Sequence, residues 1–340
     1  MIPPADLGRL LDLVDAFPRQ TVVALGDLVA DEFVYGEISR VSREAPVLIL
    51  RHRNTQLVPG GGANAANNLA DLGARVLPVG AVGADAAGAA LLDYFRKKQV
   101  DVRGVVRVKG WTTPTKTRYL AGWTHTTCQQ VLRVDREPRA PLPVTARRAI
   151  QKKAAALSRR CDAVLLSDYG CGAVSPGALR GLRSRVRTLD SRYDLLQYRG
   201  AGITVATPNE PEIEALYHTR IGNDLQKLET LGARTVRAMK LAALIVTRGK
   251  DGMAVFERGK KPQHIPIFGS DEAADVTGAG DTVVAAVTLA LAAGATPLEA
   301  AHLANYAGGI VVMKRGTATV TRHELAAAIR GDLTQSSLPR

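Results

Sequence analysis

Aromatic residues are scarce in this chain, 4% of 340. Proteins that hold single-stranded nucleic acid stack bases on aromatic side chains, and such platforms are hard to assemble here. Cysteine is also rare. Cys128, Cys161 and Cys171 are odd in number and lack metal-ligand spacing, which fits a reducing compartment. No stretch approaches the roughly 20 apolar residues of a membrane span; the most apolar, 282–295, is short and alanine-rich. The first twenty residues carry acids in a short amphipathic pattern and lack the continuous apolar core of a secretory signal. A soluble, cytoplasmic protein with no membrane partner is expected. There is no Gly-x-x-x-x-Gly-Lys-Ser/Thr loop, no His-Arg-Asp loop and no Gly-x-Ser-x-Gly elbow. These absences exclude phosphate binding in the P-loop manner, the protein-kinase catalytic loop and the hydrolase nucleophile elbow.

Acidic charge falls short of basic charge, leaving a net +13. Nucleic acid, an anionic membrane surface and phosphorylated small molecules could each account for it. The basic residues are scattered, with modest clusters at 96–98, 147–153 and 180–187, and read as solvated helix faces. No nucleic-acid partner is expected.

What is present suits a large α/β unit. Hydrophobic residues make up 46%, enough for a substantial core at this length. Apolar runs at 21–26, 75–82, 163–167, 203–206, 243–247 and 254–258 read as buried strands. Helical patterns fit 63–72, 86–98, 145–159, 210–217, 225–239, 279–293 and 297–314. That alternation predicts a mostly parallel sheet with helices on both faces. Segments 32–56 and 105–135 break it with strand-like alternation and predict a small separate β-sheet, either a lid over a cleft or an edge extension and dimer face.

Asp275-Val276-Thr277-Gly278-Ala279-Gly280-Asp281 precedes an apolar helix. Amides at a helix start have no intrahelical partner and favour anions, and glycines at 278 and 280 let that backbone approach a phosphate. Asp281 is badly placed to bind phosphate and well placed to take a proton from a hydroxyl that attacks it. The turn therefore points to phosphoryl transfer, with a capped helix as the plain alternative.

Pro59-Gly60-Gly61-Gly62-Ala63-Asn64 also fits Gly-x-Gly-x-x-Ala, with Ala65 as its last position. No strong strand is read before the glycines and no acid follows the next strand, which argues against a nicotinamide dinucleotide. Gly61 and Asn64 suit a polyhydroxylated ligand. Asp27, at the end of the first strand, could accept from two sugar hydroxyls or cap a turn. Asn209 and Glu212 would lie near one helix terminus, suited to Mg²⁺ waters or phosphate, or would form a capping box. The run 247–252 joins two strands and reads equally as a hairpin.

Taken together, these motifs resemble the ribokinase-like, or PfkB, carbohydrate kinases in order and spacing over about 6–328. Within that family, stretches 26–36, 39–47, 115–118, 129–135, 166–169 and 316–321 are similar to kinases that phosphorylate the anomeric hydroxyl of D-glycero-D-manno-heptose 7-phosphate for ADP-heptose synthesis. The resemblance implies ATP with Mg²⁺, adenine near Thr247, Arg248, Gly249, Gly252 and Asn305, and metal waters held by Glu212 with Asn209. It implies a monovalent cation, K⁺, at Asp275 and Thr277, and a homodimer through the small sheet. Asp281 would be the base, with Gly278, Ala279 and Gly280 receiving the phosphoryl charge. Asp27, Gly61 and Asn64 would hold the sugar, and Lys116 and Arg118 the acceptor's phosphate. One kinase unit is expected over 1–340, without the nucleotidyltransferase domain of some members. Two lysines usual in the subgroup are missing, around Cys171 and Asp190-Ser191-Arg192. Their loss leaves open another sugar or nucleoside as acceptor, or a phosphosugar- or nucleotide-binding protein with weak catalysis.

Overall fold

The computed structural model describes residues 4–123, 128–269 and 274–336. Helix α1 (Pro4–Ala16) leads into β1 (Thr21–Gly26), whose burial sets the architecture. Val22 and Ala24 enter one apolar cluster and Val23 and Leu25 another. A strand buried on both faces belongs inside a parallel sheet clad with helices.

The other strands of this sheet are β4 (Arg75–Gly83), β5 (Val105–Val108), β8 (Ala163–Asp168), β9 (Val186–Ser191), β10 (Val205–Ala206), β11 (Ala243–Thr247), β12 (Met253–Glu257) and β13 (Gln263–Ile265). Their order is β13-β12-β11-β10-β9-β8-β1-β4-β5. Pairing is parallel from β5 through β11, while β12 and β13 add antiparallel. One face packs α1, α2 (Gly62–Asp71), α3 (Ala86–Lys97), α7 (Ala279–Ala292), α8 (Pro297–Val312) and α9 (Arg322–Ser336). The other packs α4 (Val144–Leu157), α5 (Glu210–Tyr217) and α6 (Leu225–Met239).

A second sheet runs β3-β2-β6-β7, from β2 (Leu28–Val41), β3 (Leu48–Gly61), β6 (Thr115–Gly122) and β7 (Gln129–Arg136). It departs from the sequence reading in two ways. Residues 105–108 pair with β4 at the edge of the large sheet instead of joining the small one. The first segment is longer than 32–56, because an antiparallel ladder runs from Leu28 opposite Gly61 to Val41 opposite Leu48, with register shifts at Tyr35/Gly36 and Ile38/Arg40. A strand therefore does precede the glycines, contrary to expectation, but it belongs to the small sheet. The basic run 180–187 is not a helix face either. It leads into β9, and the Arg187 guanidinium donates to the carbonyls of Leu182, Ser184 and Ala201. No helix of the described residues is long and apolar enough to cross a membrane.

Candidate active site

Parallel strands end together, and the loops after them converge where open α/β sheets take ligands. Asp27 follows β1, Tyr169 follows β8 and Arg192 follows β9. β3 delivers Gly61 to the start of α2, where Gly61 sits at φ 52 and Gly62 donates from its amide to the Asp27 carbonyl at 3.0 Å. Asn64, in the first turn of α2, then faces the start of α7.

Asp281 is only 2% exposed. Its Oδ2 accepts from Asn64 Nδ2 at 2.9 Å and its Oδ1 from the Tyr169 hydroxyl at 2.9 Å. Burial pushes its carboxyl up to about 6, against the opposing pull of those two hydrogen bonds and the Arg192 charge. Such a group is ionised at neutral pH and still basic enough to accept a proton. Gly278, at φ 81, caps α7 in the left-handed region. A Cβ there would also lie 2.6 Å from Asn64 Nδ2, so two constraints require glycine. The Ala279 amide already donates to the Val276 carbonyl at 3.2 Å. Among the described residues the amides of Gly278 and Gly280 make no such bond, so two of the three expected donors are open to an anion.

Of the two readings of Asp27, the structure displays the turn-capping one. Its oxygens accept from the amides of Tyr169 (2.9 Å), Cys171 (3.0 Å) and Ala173 (2.8 Å), fixing the loop after β8. It is buried, and desolvation raises its pKa to about 6.

Beside Asp281 opens a cavity of about 440 Å³ lined by Lys116, Arg133, Asp135, Tyr169 and Arg192. Arg192 stacks over the Tyr169 ring at 4.4 Å, and Lys116 lies 5.3 Å from the same ring. Burial and the nearby Arg192 charge lower the Lys116 pKa, a strain that an anion would relieve. Arg133 is clamped by Asp135 at 2.6 Å. Arg118, expected beside Lys116, is buried away from the cavity. It pairs with Asp31 at 2.8 Å and packs 5.3 Å from the Phe33 ring.

On the other side of the glycine turn, a cavity of about 200 Å³ unites Thr247, Gly249, Gly252 and Asn305 with Ala279 and Gly280. Its walls include Ile267, Val276, Val283 and Val312, a slot with apolar sides. Arg248 does not line it and instead pairs with Glu210 at 2.6 Å. Asn209 and Glu212 form the capping box of α5, at 2.8 and 2.9 Å. Asp190, missed in the sequence, is buried near Glu212 and Asp281; desolvation and those two charges hold it well above the usual carboxylate range. Asp275 accepts from the amides of Thr277 (2.9 Å) and Gly316 (3.0 Å). No cluster of three or more His, Cys, Asp or Glu side chains able to hold a metal occurs among the described residues.

Tyr169, Asp190 and Arg192 share one sequence signal with Asp27, a polar residue at the carboxyl end of a parallel strand. Arg192 also supplies a cation near the position where a lysine was read as lost.

The buried Asp281 carboxylate lies at the start of α7, with a basic cavity on one side and a slot with apolar sides on the other, an arrangement that suits phosphoryl transfer to a sugar hydroxyl. The chain belongs to the pfkB family of carbohydrate kinases, whose pattern matches residues 20–133 and 184–324. It is 38% identical over 314 residues to the bifunctional protein HldE of Geobacter sulfurreducens, covering 90% of this chain and 62% of that protein. It is 40% identical over 332 residues to HldE of a Caulobacter species, covering 95% and 65%. The chain thus spans less than two thirds of the length of these relatives. Among solved structures, Arabidopsis thaliana ribokinase complexed with ribose and ATP superposes with a TM-score of 0.70 at 19% identity, covering 92% of this chain and 99% of that one. Phosphofructokinase-2 from Escherichia coli in complex with potassium gives 0.70 at 18%, covering 93% and 99%. The fold is that of ribokinase.

Proposed function

We propose that the chain transfers the γ-phosphoryl group of ATP to the anomeric hydroxyl of D-glycero-D-manno-heptose 7-phosphate, giving the 1,7-bisphosphate. The supporting observation is the position of Asp281 between the basic cavity and the apolar slot. Asp281 takes the acceptor's proton. The open amides of Gly278 and Gly280 receive charge on the transferred phosphoryl group. Asn64 orients Asp281, and Lys116, Arg133 and Arg192 hold the acceptor's phosphate. The apolar slot takes the adenine, with Thr247, Gly249, Gly252 and Asn305 around it.

The donor set suits Mg²⁺, since Asp190 is buried, Glu212 is half-buried, and the Glu212 charge disfavours ionisation of Asp190. Bound with ATP, Mg²⁺ would neutralise the phosphates, and Glu212 and Asp190 would hold its waters. K⁺ at Asp275 and Thr277 is carried in this reading as an accessory cation. Use of ATP places the reaction in the cytoplasm.

The four-stranded sheet would cover the acceptor and exclude water. Every residue of β7 is exposed, including Val131, Leu132 and Val134, as are Val41 and Leu48 on the same sheet and Val47 in the turn between β2 and β3. An apolar face of this kind suits a second copy of the chain. Sedimentation equilibrium should return twice the monomer mass, and a Leu132→Glu variant should return the monomer mass; a monomeric native chain rejects this assembly.

The function is tested by ATP consumption against free and phosphorylated sugars. Phosphorylated heptose should exceed the unphosphorylated sugar in kcat/KM by about a hundredfold or more, as two or three charge-assisted contacts imply. Equal turnover of free and phosphorylated sugar rules out the assigned acceptor. A binding protein with weak catalysis would show thermal stabilisation by these ligands without turnover.

A further inference from the structure

The Tyr169 hydroxyl touches the base, yet the proposed chemistry gives it no task. It donates to Asp281 Oδ1 at 2.9 Å, while Oδ2 already accepts from Asn64. With Asp281 2% exposed, neither oxygen is open to the cavity. A hydroxyl about to lose its proton to Asp281 must first donate a hydrogen bond to it, and that is the bond Tyr169 makes. Tyr169 cannot complete the transfer, because burial and the Asp281 charge hold its proton far more tightly than an ordinary phenol's.

The ring is held as distinctively as the hydroxyl. Arg192 stacks on it at 4.4 Å and Lys116 lies at 5.3 Å. A cation over an aromatic face is held more weakly than the same cation in charge-assisted hydrogen bonds to a phosphate. These are also two of the five basic side chains of the cavity, with Arg133, Arg136 and Arg139. One side chain therefore occupies both halves of the acceptor's binding requirements, the proton acceptor with its hydroxyl and the phosphate cations with its ring.

We propose that Tyr169 is an internal stand-in for the acceptor. It occupies Asp281 until a molecule bearing a phosphate for Lys116 and Arg192 and a hydroxyl for Asp281 displaces it. This rests on Asp281 being the base of a sugar kinase. Two properties follow. Water is denied the base while Tyr169 holds it, so ATP is spared hydrolysis. A sugar without phosphate offers a hydroxyl but cannot draw the cations off the ring, so selectivity for phosphorylated acceptors is enforced by a competing residue as well as by contacts.

Tyr169→Phe in the full chain keeps the ring and removes the hydroxyl. ATP hydrolysis without any sugar should rise about tenfold, the effect of one hydrogen bond withheld from the base. The advantage of phosphorylated over free sugar in kcat/KM should narrow. The acid limb of kcat/KM should also move to higher pH, since the Tyr169 hydrogen bond lowers the Asp281 pKa. Unchanged or slower sugar-free hydrolysis, with a lower kcat on phosphorylated sugar, overturns the proposal and makes Tyr169 a positioning residue. A second measurement does not depend on the variant: in a crystal structure of the native chain with ADP and sugar phosphate, the Tyr169 oxygen should lie beyond hydrogen-bonding distance of Asp281, with a sugar hydroxyl in its place. A Tyr169 still bonded to Asp281 there overturns it as well. Sugar-dependent turnover of the native chain, assayed alongside, tests the kinase reading by itself.

Discussion

Asp281→Asn should lower kcat by about a thousand- to ten-thousandfold, the upper range for loss of a general base with its electrostatic role, while ATP binding by titration calorimetry stays within about twofold. An amide matches the carboxylate in shape and can still accept from Asn64, so the fold is retained. Near-native turnover would remove Asp281 from the chemistry. The variant also carries a signature in stability. The folded pKa of about 6 lies above the ordinary 3.8, so the folded protein binds this proton more tightly than the unfolded chain does. The stabilising contribution of that proton is fully present below about pH 4 and is lost as pH rises through 6. Asp281→Asn removes the cost of the buried charge. Its melting temperature should exceed the native value by several degrees at pH 8 and converge on it near pH 4.

Lys116→Ala combined with Arg192→Ala should lower kcat/KM for phosphorylated acceptors by about a hundred- to ten-thousandfold, two charge-assisted contacts at roughly 1.5–3 kcal/mol each. Turnover of the unphosphorylated sugar should not fall, and the KM for ATP should stay put. An equal loss on both sugars would make the two cations general supports of the site instead of phosphate ligands.

The glycine turns could be read in the sequence because their chemistry is local. Gly278 and Asp281 stand three residues apart at a helix start, and Asn64 follows Gly62 by two residues. Arg118 could not be read in this way. It shares a strand face with Lys116, but the register places it opposite Phe33, where diagonal Asp31 captures it. That pairing depends on which strand lies beside β6, which no local pattern reveals. Asp27 was legible as a residue at a strand end and illegible as the anchor of a loop 142 positions away. Tyr169 and Arg192 were hidden for the same reason, each following its own strand and meeting only across the sheet. Asn209 and Glu212 show both readings at once, since the capping box that fixes α5 also holds Glu212 near Asp190.

The β2–β3 hairpin leaves the core and returns to it at two points paired with each other, Leu28 and Gly61. β1 ends at Gly26 and β2 begins at Leu28, while β3 ends at Gly61 and α2 begins at Gly62. The β2–β3 hairpin is thus joined to the core on one side by Asp27 alone and on the other with no intervening residue, while β6 and β7 reach the core through 109–114 and 137–143. At about 3.3 Å per residue, the 14 residues of β2 form a lever roughly 45 Å long whose fulcrum is the Leu28–Gly61 rung. A tilt of about 5° displaces its far tip by about 4 Å, by the same spacing. The reverse also holds: force applied at the tip, by a second subunit or a bound ligand, is delivered with mechanical advantage to Asp27 and Gly61, next to Tyr169.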